Sequence, residues 1–157
     1  MSTRTLLWIA LGLWVVLAAA VGYAWLRATV TTAPDYRMAL SVTRAEEAFV
    51  REQMRTMLAN VQVLTGALAA GDRERAVQVA RAAGAGSEGL LAAPALMLRL
   101  PPAFRELAGQ MHAGFQVVAD AAQGGASTEA VLGKLELTLS TCVGCHASFR
   151  LRVDGAP

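Results

Sequence analysis

Hydrophobic positions in this chain of 157 residues form one continuous N-terminal run, followed by several stretches with helical spacing. The range from Thr5 to Leu26 holds no charged residue, and about 22 residues suffice for a helix to cross a bilayer core. Arg4 precedes the run, and Trp8 and Trp25 lie near its ends, where tryptophan favours the membrane interface. Residues 1–28 are therefore predicted to be a transmembrane anchor or an uncleaved signal. A cleaved signal peptide fits less well, because the apolar run is longer than a usual signal core.

The first stretch with helical spacing follows residues 29–44, which we interpret as a polar linker and the start of the first helix of the domain. Pro34 and Asp35 are typical of a helix start, and the chain then continues to Gly71 without a proline. Such a length leaves room for a kink or break at residues 41–43. The later part has one apolar face, with spacings of three and four. Its members are Val50, Met54, Met57, Val61, Leu64 and Leu68.

A second, short helix is expected after Asp72, which is a favourable N-terminal cap. Glycines follow Ala83, so the helix is expected to end there. Residues 90–100 are apolar and contain Pro94, which predicts a packed connection with about one turn of helix.

Two further helices complete the pattern. The third is expected from Pro101-Pro102 to about Gln123, and the fourth after a cap at Ser127 or Thr128. The apolar face of the third consists of Phe104, Leu107, Met111, Phe115, Val118 and Ala122. The corresponding face of the fourth consists of Leu132, Leu135, Leu139, Cys142, His146 and Phe149.

Four amphipathic helices joined by short loops predict an all-α fold, an antiparallel four-helix bundle over residues 45–153 behind the N-terminal transmembrane helix. No alternating strand pattern of any length is evident. The formal net charge of +2 corresponds to Arg4 and Arg27, which flank the apolar run, so the charges of the remaining chain balance. Without a basic stripe, nucleic-acid binding has no electrostatic support.

The two cysteines of the chain are Cys142 and Cys145, and His146 follows directly. Cys-x-x-Cys-His is the signature of c-type haem attachment. On a helix with about 100° per residue, the three side chains fall within an arc of roughly 100°. Two thiols can then bond to the two haem vinyl groups while the imidazole reaches the iron. The motif predicts one covalent haem c, bound by Cys142 and Cys145, with His146 as an iron ligand.

Three other interpretations of the motif are weaker. A thioredoxin-like redox pair belongs in a βαβ context, which the pattern lacks. A structural zinc site needs four ligands, and the only further candidate is His112, in a distant segment. A structural disulfide leaves His146 without a role. No arrangement of acid, base and nucleophile is evident elsewhere, so an electron carrier is favoured over an enzyme.

The sixth ligand of the iron stays open on the residues alone. Methionines in an apolar stripe usually fill a core, and a lone histidine is usually hydrogen-bonded or exposed to solvent. An iron with no second protein ligand is a further alternative. The candidates are Met54, Met57, Met111, His112, Met38 and Met97.

The chain resembles the cytochrome c prime family, in particular its methionine-ligated, low-spin relatives, over about residues 45–152. Its haem motif lies near the end of the last helix and is followed by Ala147-Ser148-Phe149-Arg150, similar to the family's two residues, aromatic and basic residue. Met54–Asn60 resembles the first-helix segment that faces the distal side of the haem. The resemblance implies that Met54 is the sixth ligand and that Arg150 binds the cofactor near the proximal histidine.

The resemblance and the anchor together imply a single-pass protein of the cell inner membrane with its haem domain in the periplasm. One-electron transfer with redox protein partners is the expected function. A nitric oxide or carbon monoxide binder or sensor is one alternative, and a haem-bearing subunit of a membrane complex is another. Family members form homodimers through their first two helices, so a homodimer is also an expectation. The anchor itself is a departure, since the typical family member is soluble and exported.

Overall fold

A computed structural model of the chain describes residues 3–28, 30–32, 35–85 and 93–154. Over these residues the protein is mostly helical, with six α-helices and a small three-stranded sheet. The helices are α1 (Thr3–Ala28), α2 (Arg44–Ala69), α3 (Arg73–Gly84), α4 (Pro94–Arg99), α5 (Pro102–Gln123) and α6 (Thr128–Ser148). The strands are β1 (Val30–Thr32), β2 (Met38–Val42) and β3 (Phe149–Val153).

Helix α1 contains a segment, Thr3–Tyr23, that is long and apolar enough to span a membrane. Its large apolar side chains are exposed, including Trp8 at 71% and Trp14 at 72%. Within the described part of the protein nothing buries Thr3–Tyr23, and such an apolar surface is suited to another apolar environment. A signal sequence near an N-terminus has the same properties, so retention of α1 as an anchor stays a prediction.

The larger of two hydrophobic cores receives side chains from four helices, α2, α3, α5 and α6. Helix α3 packs against α2 and α5, and α5 packs against α6. Leu64, Phe115, Val118 and Val131 are fully buried in this core. At its edge, Arg81 of α3 donates hydrogen bonds to α5 residues, among them Asp120 at 2.5 Å.

The smaller core lies where the sheet meets the start of α2, helix α4 and the start of α5. Strand β2 is central, antiparallel to β1 and parallel to β3. Met38 of β2 is therefore the register partner of both Thr32 and Phe149. The buried members of this core are Leu40, Val42, Val50, Leu96, Leu100, Phe104 and Phe149.

The predicted second, third and fourth helices are confirmed. The Asp72 carboxylate accepts a hydrogen bond from the Arg75 N–H at 3.0 Å and caps α3. Helix α5 begins after Pro101 and ends at Gln123, and Ser127 caps α6. The expected turn of helix after Ala93 is α4, whereas residues 86–92 lie outside the described residues.

The prediction for residues 29–44 is wrong in one respect: the first helix of the domain doesn't start near Pro34 and Asp35. Residues 38–42 are strand β2, and α2 begins at Arg44. Thr43 and Glu46 form a reciprocal capping box that fixes this start, because each side chain satisfies a backbone N–H of the other.

The expectation of an all-α fold without strands is also corrected by the sheet. Phe149 was expected on the apolar face of the last helix, but it is extended and begins β3. Its side chain still reaches the smaller core, since every second residue of a strand points to one face. In α6 the buried residues are Val131, Leu135 and Thr138, while Leu132, which was expected on the apolar face, is 42% exposed.

Candidate functional site

The Cys-x-x-Cys-His motif lies in the last two turns of α6, which ends at Ser148. Cys142 and Cys145 are both half-buried and unpaired, and His146 is exposed. The Phe149 N–H donates to the Cys145 carbonyl and closes the helix where the chain turns into β3. The motif thus lies between the preceding turns of α6 and the strand β3 that follows it.

Burial raises the pKa of the Cys142 thiol above its ordinary value. Burial also raises the pKa of Cys145, and the charge of a neighbouring Cys142 thiolate adds to this effect. Both groups are therefore thiols at neutral pH. The Cys142 Sγ lies 4.0 Å from the Thr138 carbonyl oxygen one turn earlier.

A cavity of about 560 Å³ lies beside the end of α6, between β2, β3, α2 and the start of α5. Its volume is within the range of about 300–1,000 Å³ that is typical of ligand and cofactor sites. Phe104 and Phe149 contribute to its apolar wall, with their rings edge to face and their centroids 5.5 Å apart. Other apolar lining residues are Leu40, Val50 and Leu151.

Four of the five predicted site residues line this cavity: Met54 from α2, Cys145 and His146 from α6, and Arg150 from β3. These residues are far apart in the sequence, so the fold brings them together. Cys142 isn't among the described residues that line the cavity, since its thiol is directed to the preceding turn. Rotation about its side-chain torsion is needed for it to act with Cys145.

The charged lining of the cavity consists of four arginines, Arg37, Arg51, Arg55 and Arg150. The first three pair with carboxylates. The pairs are Arg37–Asp35 at 2.6 Å, Arg51–Glu47 at 2.8 Å and Arg55–Glu52 at 2.6 Å. The hydrogen bond from the Arg37 side chain lowers the pKa of Asp35, so that pair is ionised at neutral pH.

Arg150 differs from the other three, because its Nε is buried without a hydrogen-bond partner. Such a group costs about 1–3 kcal/mol when it is left unsatisfied. An anionic oxygen inside the cavity would satisfy it. A haem carries two propionates, so the orphaned Nε, the surrounding arginines and the apolar wall fit the group that the motif predicts.

A second cavity, of about 110 Å³, lies between α2, α3, α4 and α5. Three of the alternative sixth ligands, Met57, Met111 and His112, line this cavity and not the first. The His112 Nδ1 lies 3.0 Å from the Ala83 carbonyl oxygen. Met54, which is 38% exposed, lines both cavities. Among the described methionines and histidines other than His146, it is the one that borders the cavity with His146.

Among the residues of this site that sequence reasoning missed, Arg37 has the most direct contact with the motif. Arg37 lies between β1 and β2, lines the cavity, and donates from Nη1 to the His146 carbonyl oxygen at 3.4 Å. No local signal predicts this, because the contact depends on the pairing of β2 with β3. The alternation in Phe149-Arg150-Leu151-Arg152-Val153 does indicate a strand, but it does not identify the strand with which it pairs.

Within the residues that the structure describes, no three His, Cys, Asp or Glu side chains group as a metal cage. Comparison of the chain with models of protein families, with curated proteins and with solved structures finds no match. The interpretation of the site therefore depends on its own residues and geometry.

Proposed function

We propose that this protein is a membrane-anchored c-type cytochrome that carries out one-electron transfer in the periplasm. Cys142 and Cys145 hold one haem c by thioether bonds, and His146 ligates its iron. Met54 is the sixth ligand and Arg150 binds a propionate. When bound, the haem supplies a metal that changes oxidation state by one electron, and a histidine and methionine ligand pair raises its potential.

The observation that carries this proposal is the cavity that Met54, Cys145, His146 and Arg150 share. The thiols and the imidazole come from one end of α6, while Met54 comes from α2. Arg150 lines the cavity, and its Nε, which is buried without a partner, is a donor that an anionic group there could engage after a small side-chain movement. A redox pair of thiols or a zinc site gives no role to that donor.

The remaining features agree with the proposal. Thioether attachment adds each S–H across a vinyl group, so it needs the thiols reduced, and their raised pKa keeps them protonated. Helices α2, α3, α5 and α6 share one core, which supports an antiparallel four-helix bundle like that of the cytochrome c prime family. Helix α1 supports an inner-membrane anchor with the rest of the chain exported.

Haem staining of a denaturing gel tests the attachment. The full chain is exported in cells that attach haem to c-type cytochromes, and we expect a stained band at its mass. Replacement of both cysteines by serine should abolish the stain, whereas Ser140→Ala, on the exposed side of the same helix, should keep it. An exported, folded wild-type protein without stain would refute the proposal.

A second candidate function, binding of nitric oxide or carbon monoxide, is favoured by the second cavity. Met54 lines both cavities together with Val50 and Phe104, so a displaced Met54 side chain has space in either cavity. Titration of the ferrous protein with carbon monoxide distinguishes the functions. Electron transfer predicts a low-spin spectrum that carbon monoxide leaves unchanged, and gas binding predicts a new carbonmonoxy spectrum.

A further inference from the structure

We infer that the sheet holds the haem pocket close to the membrane surface, and that the electron partner is an integral membrane protein with its redox centre at that surface. The inference rests on the proposed function, since it takes α1 as an anchor and the cavity as the haem pocket. It replaces the expectation that residues 29–44 form a polar linker and the start of the first helix.

The backbone leads from α1 to the site with little free chain. Helix α1 ends at Ala28, and β1 begins at Val30. Strand β1 pairs with β2, and β2 pairs with β3, which directly follows the helix that carries the motif. Backbone hydrogen bonds, and not a free linker, therefore connect the anchor with the cysteines and histidine.

The register limits the distance between anchor and pocket. Thr32 is four positions after Ala28, which is at most about 14 Å of extended chain. Thr32, Met38 and Phe149 are register partners across the three strands, and two strand spacings add about 10 Å. Phe149, a wall residue of the cavity, thus lies within about 25 Å of the end of α1. A free linker over residues 29–44 could extend to about 50 Å.

Arg37 extends this connection to the predicted iron ligand. It lies at the entry to β2, lines the cavity, and donates to the His146 carbonyl oxygen. Asp35 holds its guanidinium through Nε at 2.8 Å. Both the strand pairing and a side chain from the β1–β2 connection therefore fix the position of the motif relative to α1.

Because the pocket lies at a fixed, short distance from the bilayer, its haem can closely approach redox centres that lie at the same distance from the bilayer. An integral membrane protein presents such a centre by diffusion in two dimensions, and the shared membrane raises its effective concentration. A soluble carrier would gain nothing from the short connection. The structure therefore favours a membrane partner over a soluble one.

Energy transfer to the haem measures the height of the pocket. The full-length holoprotein is placed in phosphatidylethanolamine–phosphatidylglycerol vesicles that contain a headgroup-labelled fluorescent lipid, which the haem quenches. Twelve Gly and Ser residues inserted after Ala28 add a flexible chain of about 20 Å root-mean-square length. We expect the insertion to lower the quenching about twofold or more, while the same insert between Gly124 and Gly125 leaves it unchanged. Equal quenching in all three proteins would overturn the inference.

Salt-washed membranes test the class of partner. Duroquinol is added as electron donor to native membranes that contain the wild-type protein, before and after soluble proteins are washed away. We expect the haem to be reduced at the same rate in both. Reduction that is lost on washing and restored by the soluble fraction, or that is absent throughout, would overturn the inference. Haem staining of the same membranes reports separately whether the proposed function itself fails.

Discussion

The guanidinium of Arg37 donates a hydrogen bond to the backbone carbonyl oxygen of His146, although 109 positions separate the two residues. His146 lies in the last turn of α6, where carbonyl groups have no partner within the helix. A cation at this end also complements the helix dipole. Arg37 therefore stabilises the backbone of the predicted iron ligand from a different part of the chain.

Replacement of Arg37 by alanine is expected to lower the free energy of unfolding by about 1 kcal/mol, the usual effect of one lost hydrogen bond. Urea denaturation of the holoprotein measures this effect. Because the substitution also frees the His146 backbone, we expect broader electron paramagnetic resonance lines of the ferric haem.

Asp35→Asn is the matched control for Arg37, since it weakens the ion pair and leaves the bond to His146 in place. Its resonance lines should match those of the wild type. If Arg37→Ala lowers stability but leaves the resonance lines as narrow as those of the wild type, Arg37 has no role in positioning His146.

Met54→Leu is expected to convert the haem from a low-spin to a high-spin form, because the substitution removes the sulfur and keeps the side-chain volume. The absorption spectrum of the ferric protein measures this change. Met57→Leu, in the second cavity, should leave the spectrum low-spin. The assignment of Met54 is wrong if its variant stays low-spin or if the Met57 variant changes instead.

The helices could be predicted where local chemistry marks their ends. Pro102 starts α5, Gly124 follows its last residue, and Asp72 caps α3, so these boundaries follow from neighbouring residues. The haem motif is equally local. The position of Met54 came from a resemblance, and the structure adds that it borders the cavity with His146.

The sheet could not be predicted in the same way, because its pairing is not local. Strands β2 and β3 are short, and more than a hundred residues separate Met38 from its partner Phe149. Neither strand buries enough apolar surface by itself to be stable without the other. The role of Arg37 depends on that pairing. The residues next to Arg37 in the sequence therefore do not predict its contact with His146.

Arg150→Gln is expected to lower the midpoint potential of the haem by tens of millivolts, given that 59 mV corresponds to a factor of ten for one electron. Loss of a nearby cation favours the ferric state, and a propionate without its partner titrates at higher pH. Spectroelectrochemistry between pH 5 and 9 measures both effects. Arg152→Gln is the control, because Arg152 is exposed and donates to the Ser41 hydroxyl. Equal shifts in the two variants would show only a general charge effect.

The protein is expected to become less stable in acid, because protonation of Glu46 removes a stabilising interaction. Burial raises the pKa of Glu46, but the hydrogen bonds from Thr43 and the ion pair with Arg99 outweigh this effect, so its pKa lies below the ordinary value. The stabilisation is present above the unfolded-state pKa and is lost as the pH falls through the folded-state pKa. Glu46→Gln should therefore be less stable than the wild type at pH 7 by about 1 kcal/mol.

The difference between wild type and Glu46→Gln should close as the pH decreases towards 3, and urea denaturation at a series of pH values follows it. Glu52→Gln, whose carboxylate is exposed on the same helix, is the control and should show little pH-dependent difference. A gap between wild type and Glu46→Gln that stays constant with pH would contradict the assigned ion pair.

Gly114→Ala is expected to destabilise the contact between α5 and α6 by about 1–3 kcal/mol, as for other overpacked sites. A Cβ at this position would lie 2.6 Å from Thr138 Oγ1 and 2.9 Å from its Cγ2. Thr138 cannot easily move away, since it is buried and its hydroxyl donates to the Lys134 carbonyl oxygen at 2.9 Å. Gly109→Ala on the same helix meets nothing within 4 Å and should stabilise α5 by up to about 1 kcal/mol. Thermal unfolding of both variants gives the comparison, and a Gly114→Ala protein as stable as Gly109→Ala would show that α5 and α6 are not closely packed there.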